Sequence, residues 1–287
     1  MRNLSALVLL TAVGLLLGAC SHQPIRSTAP APHPPERSLP PTPPNQDSGP
    51  MVAPDVSNIP EPVPKPEPLA KYGNKSPYSV LGQDYKVLPR AEGYVERGIA
   101  SWYGNKFHGQ FTSTREPYDM YLFTAAHKTL PIPCFARVTN LENGRSIVVR
   151  VNDRGPFVDN RIMDLSLVAA VKLGIWQKGT GLVEVRVIDP LRTNAEPAPA
   201  PAVIARLHTP KIYLQVGAFG ERANAERAAA AIQRAKLGDV RIVHGDAGGH
   251  GIDRVRIGPL ADVDTADRIT PQVRALGLGE PRVALDD

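Results

Sequence analysis

Carboxyl groups set in turns are the first candidates for chemistry in this 287-residue chain. Asp153 stands in Asn152-Asp153-Arg154-Gly155-Pro156, directly after the apolar run that ends at Val151. Loops that follow a strand commonly display functional groups, and a carboxylic acid placed there can donate a proton to a leaving oxygen and later take one back. The neighbouring Arg154 bears on that role. Turned inward, its guanidinium would depress the acid's pKa, the opposite of what a general acid needs, so Arg154 is expected to point elsewhere or to contact substrate. The alternative for Asp153 is a purely local one, capping the turn before Gly155. Glu116, in Glu116-Pro117-Tyr118-Asp119, is a second acid that can assist. Asp119 beside Tyr118 reads as a fold residue, and Asp164 as the cap of a helix carrying Leu167, Ala170, Val171 and Ile175 near one face.

Other polar and aromatic residues fill out the candidate set. His127 has no second histidine at metal-ligand spacing, and no metal or cofactor is expected; it reads as a hydrogen-bonding site residue. Trp102 and Tyr103 are adjacent aromatics that suit either a flat ligand face or the core. Near the C-terminus, Tyr213 and Gln215 alternate with Leu214 and Val216, and Arg254 and Arg256 with Val255 and Ile257. Strand alternation places these four on one face, where amide and guanidinium groups can bind hydroxyl and acetamido groups, or simply meet solvent.

Two sets of elements must position these groups. Between residues 77 and 190, segments 98–103, 135–139, 146–151 and 182–187 are β-branched and apolar, with Asn143-Gly144 as a hairpin signal. Several short strands with one helix suggest a small closed barrel. From Pro210 onward the pattern strand–helix–strand occurs twice, which suggests an open four-stranded antiparallel sheet with both helices on one face; Pro271 sits awkwardly in the second helix.

Sixteen of the thirty prolines lie between Pro24 and Pro68, a composition that cannot form helix or central strand and reads as an extended tether at about 3.1 Å per residue. Net charge is only +5, and the region from Pro210 balances eleven basic against eleven acidic residues, so a nucleic-acid partner is not expected. Cys20 and Cys134 give no disulfide framework, and Cys134 reads as core. Arg2 followed by the apolar run Leu4–Leu17 has the form of an export signal, too short to span a bilayer. Its end, Leu17-Gly18-Ala19-Cys20, resembles the lipobox of bacterial lipoproteins. That implies cleavage before Cys20, lipidation of its thiol, and a membrane held through acyl chains; Ser21 after it favours the outer membrane, on the periplasmic face.

The middle motifs are more specific. Ala100-Ser101-Trp102-Tyr103-Gly104, Phe107-His108-Gly109, Glu116-Pro117-Tyr118-Asp119-Met120, Thr124–Pro131, Val138-Thr139-Asn140-Leu141, Asn152–Phe157 and Arg161–Ser166 resemble, in this order, the rare lipoprotein A family. The resemblance implies a six-stranded double-psi β-barrel and cleavage of peptidoglycan glycan strands between N-acetylmuramic acid and N-acetylglucosamine, leaving a 1,6-anhydro end. It implies Asp153 as general acid and later base, Glu116 assisting, and His127, Trp102, Tyr103 and Arg154 near substrate. The family usually has glycine where this chain has Arg115, a bulkier residue wherever a positive φ is needed. Gln215–Phe219 with Arg254–Pro259 resembles the SPOR domain, a small ferredoxin-like, RNP-like fold. That implies binding of peptide-stripped glycan at division septa through Tyr213, Gln215, Arg254 and Arg256, in company with septal-ring proteins and amidases. The expected organisation is mainly β plus α+β. It runs as signal 1–19, anchor and tether 20–76, barrel 77–190, linker 191–209 and SPOR domain 210–287. A non-catalytic, glycan-binding lipoprotein and a hydrolase that uses water are the alternatives.

Overall fold

The computed structural model describes residues 49–50, 52–192 and 210–286. The signal, Cys20, the first part of the tether and most of the linker lie outside the described residues, and among those described no helix is long and apolar enough to cross a membrane.

A hairpin of β1 (Tyr78–Val80) and β2 (Gln83–Tyr85) precedes a closed barrel. The barrel strands are β3 (Val95–Trp102), β4 (Thr124–His127), β5 (Cys134–Asn140), β6 (Ser146–Asp153), β7 (Arg161–Leu165) and β8 (Gly181–Ile188). Around the barrel they run β3-β7-β4-β6-β5-β8. β3 with β7 and β4 with β6 are parallel pairs; the other contacts are antiparallel. Closure leaves no open edge, and inward alternation fills the interior with Ala125, Ala136, Val138, Val149, Val151, Met163, Val183 and Val185, all fully buried. Cys134 is a free thiol at the start of β5, and burial pushes its pKa up to about 12.

Helix α1 (Leu167–Leu173) packs its Leu167, Val168, Ala169, Ala170 and Leu173 inward. Its cap is Ser166, whose side chain accepts from the Ala169 amide, a device worth about 1 kcal/mol. The expected cap, Asp164, instead belongs to β7. Gly174 ends the helix at φ 84, a conformation that suits glycine.

The proline-rich stretch changes character before residue 76. Val56 and Ile59 pack against the barrel core, Glu61 accepts from the Val148 amide at 2.7 Å and pairs with Lys172 at 3.1 Å, and the Ala70 amide donates to the Ile132 carbonyl at 3.0 Å. The tether expected to run to residue 76 therefore ends in a strap laid along the barrel from about Asp55 to Asn74.

The second domain contains β9 (Lys211–Phe219), α2 (Arg222–Arg234), β10 (Val240–Ala247), β11 (His250–Leu260), α3 (Val263–Ala275) and β12 (Arg282–Asp286). Its sheet is antiparallel in the order β10-β11-β9-β12. Leu214, Val216, Val255 and Ile257 face Ala225, Ala228, Ile232, Ile269 and Val273 of the helices, which leaves the other face of the sheet uncovered by helix. Pro271 is held within α3. Contacts to the barrel include Arg161 with Asp267 at 2.6 Å and Ile99 and Leu182 clustered with Ile212 and Val263.

Candidate active site and glycan-binding face

Asp153 ends β6, paired with Ala126 of β4 across a register shift, and bulges of this kind re-aim a side chain. Its Oδ1 accepts three hydrogen bonds: from the Ser113 amide at 2.8 Å, the Ser113 hydroxyl at 2.7 Å and the Arg154 amide at 2.7 Å. All three fall on one oxygen, so the carboxyl plane is fixed while Oδ2 has no partner among the described residues. The Arg154 bond is the local turn contact weighed for Asp153; the Ser113 bonds come from a different loop.

That loop is a tight turn closed by the Phe111–Pro117 bridge and by the Thr112 amide bonding to the Glu116 carbonyl at 2.8 Å. It holds Ser113 toward Asp153 and carries Glu116 three residues later. Glu116 accepts from Arg150 Nη1 at 2.7 Å and Nη2 at 3.0 Å, and from Asn152 Nδ2 at 2.9 Å. The Arg150 guanidinium, above all, holds Glu116 below its ordinary pKa; burial opposes this and Asn152 adds to it. Glu116 is therefore a carboxylate near neutral pH, suited to face positive charge and not to give up a proton. Arg115 does adopt the positive φ that glycine would favour, at 72°, with its guanidinium 5.5 Å from the Tyr72 ring centroid.

Several of the expected substrate contacts are engaged within the protein. Arg154 turns away from the Asp153 carboxyl. Its guanidinium donates to the carbonyls of Gly73, His127 and Leu130 at 2.7, 3.1 and 2.5 Å and to Asn74 Oδ1 at 3.2 Å, so four of its five donors are used within the protein. His127 is 2 % exposed. Its Nδ1 accepts from the Thr129 and Leu130 amides at 3.1 and 3.0 Å, and Nε2 meets the Tyr94 hydroxyl at 3.0 Å. Burial pushes its pKa down, which favours the neutral ring, and both ring nitrogens are engaged within the protein. Tyr103 is buried and stacked on Tyr118 with centroids 4.1 Å apart. Its hydroxyl pKa is raised by burial, reinforced by the charges of Tyr118, Asp153 and Asp164. Trp102 is half-buried against Gly49, its Nε1 bonded to the Trp176 carbonyl at 3.2 Å. Exposed aromatics nearby are Phe107 and Phe111, the latter on the Glu116 turn. Asp164 accepts from Ser101 and pairs with Ala126 on the side opposite Asp153. Among the described residues no cluster of three or more His, Cys, Asp or Glu is placed to hold a metal ion.

On the open face of the second sheet, register aligns one residue from each strand. Arg241 of β10 lies opposite Arg256 of β11, Arg256 opposite Gln215 of β9, and Gln215 opposite Arg282 of β12. Arg256 Nε donates to Gln215 Oε1 at 3.4 Å. Arg254 runs along Gly245 of β10. Tyr213 is 2 % exposed, with Arg241 5.7 Å from its ring centroid, so it supports the row from beneath and offers no open face for stacking.

With barrel, turn and sheet face in place, comparison with known proteins is informative. Residues 95–186 match the family described as lytic transglycolase, and residues 209–280 match the SPOR domain. A protein of Pseudomonas aeruginosa strain UCBPP-PA14, named endolytic peptidoglycan transglycosylase RlpA, is 37 % identical over 294 residues, covering 85 % of this chain and 86 % of its own. The chain belongs to the RlpA family. A family member of the same name from Vibrio cholerae is 51 % identical over 144 residues, covering 50 % of this chain and 54 % of its own. The solved SPOR domain of the Pseudomonas aeruginosa family member is 32 % identical, covering 25 % of this chain and 96 % of that one, with a TM-score of 0.25. The chain couples a lytic transglycosylase barrel to a SPOR domain, and the fold expected from its motifs is the fold observed.

Proposed function

We propose that the protein is an endolytic transglycosylase that cuts peptide-stripped peptidoglycan strands between N-acetylmuramic acid and N-acetylglucosamine. The reading is carried by one arrangement: the turn at 111–117 fixes Asp153 through Ser113 and presents Glu116, charged, on Arg150. Asp153, protonated on Oδ2, gives its proton to the bridging oxygen as that oxygen leaves the muramic carbon C1. Glu116 faces the positive charge that develops on the ring. The sugar's own 6-hydroxyl then bonds to C1, its proton passes to the Asp153 carboxylate, and the product is a 1,6-anhydro end. No water and no protein nucleophile enter the balance. The Arg241–Arg256–Gln215–Arg282 row and Arg254 of the SPOR sheet hold a bare strand through its hydroxyl and acetamido groups. A lipid on Cys20 would anchor the protein to the outer membrane, and affinity for stripped strands would gather it at the septum, where amidases expose them.

The test is digestion of purified sacculi, intact and amidase-treated, with products weighed by mass spectrometry. Anhydro-ended fragments from the wild type, absent with a folded Asp153→Asn variant, are expected. Reducing ends would make the enzyme a hydrolase. No release from either substrate would leave a glycan-binding tether.

A further inference from the structure

The end of the strap reaches the candidate site at several points. Glu67 accepts from Arg150 Nε at 3.0 Å and Nη2 at 2.7 Å, while Nη1 and Nη2 of the same guanidinium serve Glu116. One planar fork is thus shared edge by edge between two carboxylates, with Nη2 common to both. Glu67 is the more enclosed of the two, its side chain 17 % exposed against 43 % for Glu116. Farther along, Tyr72 lies under Arg115, the Gly73 carbonyl accepts from Arg154, and Asn74 bonds to both Arg154 and the Ile132 amide. A carboxylate is not needed to attach the strap here, because Ile59, Glu61 and Ala70 already fasten it. Adding a second enclosed carboxylate to an arginine that already has one costs desolvation. What it does achieve is geometric. Arginine's fork is rigid but its stem is not, and only a fixed partner on the Nε edge holds the other edge toward a second acid.

We propose that Glu67, carried by the tether, is a positioning residue for the transglycosylase site. By pinning the Nε edge of Arg150, it holds the guanidinium that keeps Glu116 in place and charged. The inference rests on the proposed role of Glu116, and it extends the working enzyme upstream of the barrel strands into the proline-rich segment.

The experiment compares the full-length wild type with Glu67→Gln and Glu67→Asp on peptide-stripped strands. It reads kcat and KM separately, and the titration of the Glu116 carboxyl by carbon-13 NMR. Glu67→Gln keeps the shape and removes the charge. It should lower kcat about tenfold, the scale of one charge-assisted contact to a reacting group, with KM within about twofold. Loss of the neighbouring like charge alone would lower the Glu116 titration, so a rise to higher pH, from an Arg150 no longer held, is the specific sign of lost positioning. Glu67→Asp should retain more turnover than the Gln variant. Unchanged kcat, a change in KM alone, or an unmoved or lowered Glu116 titration in a folded Gln variant would each overturn the proposal. A wild type that cuts nothing while the Glu116 titration still responds to Glu67→Gln would remove the transglycosylase reading but leave the coupling intact.

Discussion

Replacing Arg150 by methionine should expose how the acidic pair is held. The substitution keeps the length of the stem and removes the cation bonded to both Glu67 and Glu116. Breaking a fully buried pair from one side costs about 3–5 kcal/mol, and an exposed pair is worth about 0.2–1 kcal/mol. With Arg150 21 %, Glu67 17 % and Glu116 43 % exposed at their side chains, the site lies between those limits, and screening trims the Glu116 half most. A loss of about 2 kcal/mol at pH 7 follows. The pH dependence has a definite sign. Glu116 has its folded pKa lowered, so the stabilisation is complete above the unfolded value of about 4.3 and disappears as pH falls through the folded one. Urea unfolding of both proteins at a series of pH values from neutral to below 4 should therefore show a gap that is constant at the upper end and narrows in acid. Equal midpoints at pH 7, or a gap that stays the same width throughout, would refute the reasoning.

Arg115→Gly is expected to change little. Relief of a left-handed non-glycine residue, about 1–2 kcal/mol, is offset by glycine's backbone entropy of about 0.5–1 and the loss of an exposed cation–π contact of about 0.5–1. Urea unfolding within about 1 kcal/mol of wild type and unchanged glycan turnover are the expected results, and a loss beyond about 2 kcal/mol would show that the Tyr72 contact dominates. On the SPOR sheet, Arg241→Ala and Arg282→Ala should each weaken co-sedimentation with amidase-treated sacculi by roughly three- to tenfold, the worth of an exposed charged hydrogen bond. Unaltered binding in both would take the cross-strand row out of glycan recognition.

Much of this architecture was legible because alternation and composition are local signals. β3, β5, β6 and β8 coincide with the β-branched runs, and the β9–β12 sheet follows from two strand–helix–strand patterns. β4 and β7 were not legible. Thr124–His127 is four residues long and wholly buried, so no alternation marks it, and Arg161–Leu165 carries an arginine and an aspartate whose partners are distant in sequence. At the site, Asp153 and Glu116 stand out by their motifs. Ser113, Arg150 and Glu67 do not, since a serine in a turn, an arginine on a strand and a glutamate among prolines are each ordinary until the fold brings them together. Arg241 and Arg282 were hidden for a related reason, because only strand register places them beside Arg256 and Gln215. His127, Tyr103 and Arg154 show the converse. Their residue types suit chemistry, but both ring nitrogens of His127 are bonded, the Tyr103 ring is stacked and four Arg154 donors are used inside the protein.

The strap shows why proline content alone cannot mark where a tether stops. Proline fixes φ and removes a donor, so an extended segment has fewer dihedrals to order and fewer amides to satisfy when it lies on a folded surface. The same composition thus serves a free spacer and a docked strand equally well. What distinguishes the two is the residues between the prolines. From Pro24 to Ser48 the large aliphatic residues are Ile25 and Leu39 alone, whereas Val52 to Leu69 adds Val56, Ile59 and Val63, with Glu61 and Glu67 spaced among them. Val56 and Ile59 meet the barrel core, and the two glutamates meet a strand amide and an arginine. A fragment trimmed to the barrel strands would keep Asp153, Ser113 and Glu116 but leave Arg150 with one carboxylate in place of two. For that reason the strap belongs to the enzyme's working unit and not to its leash.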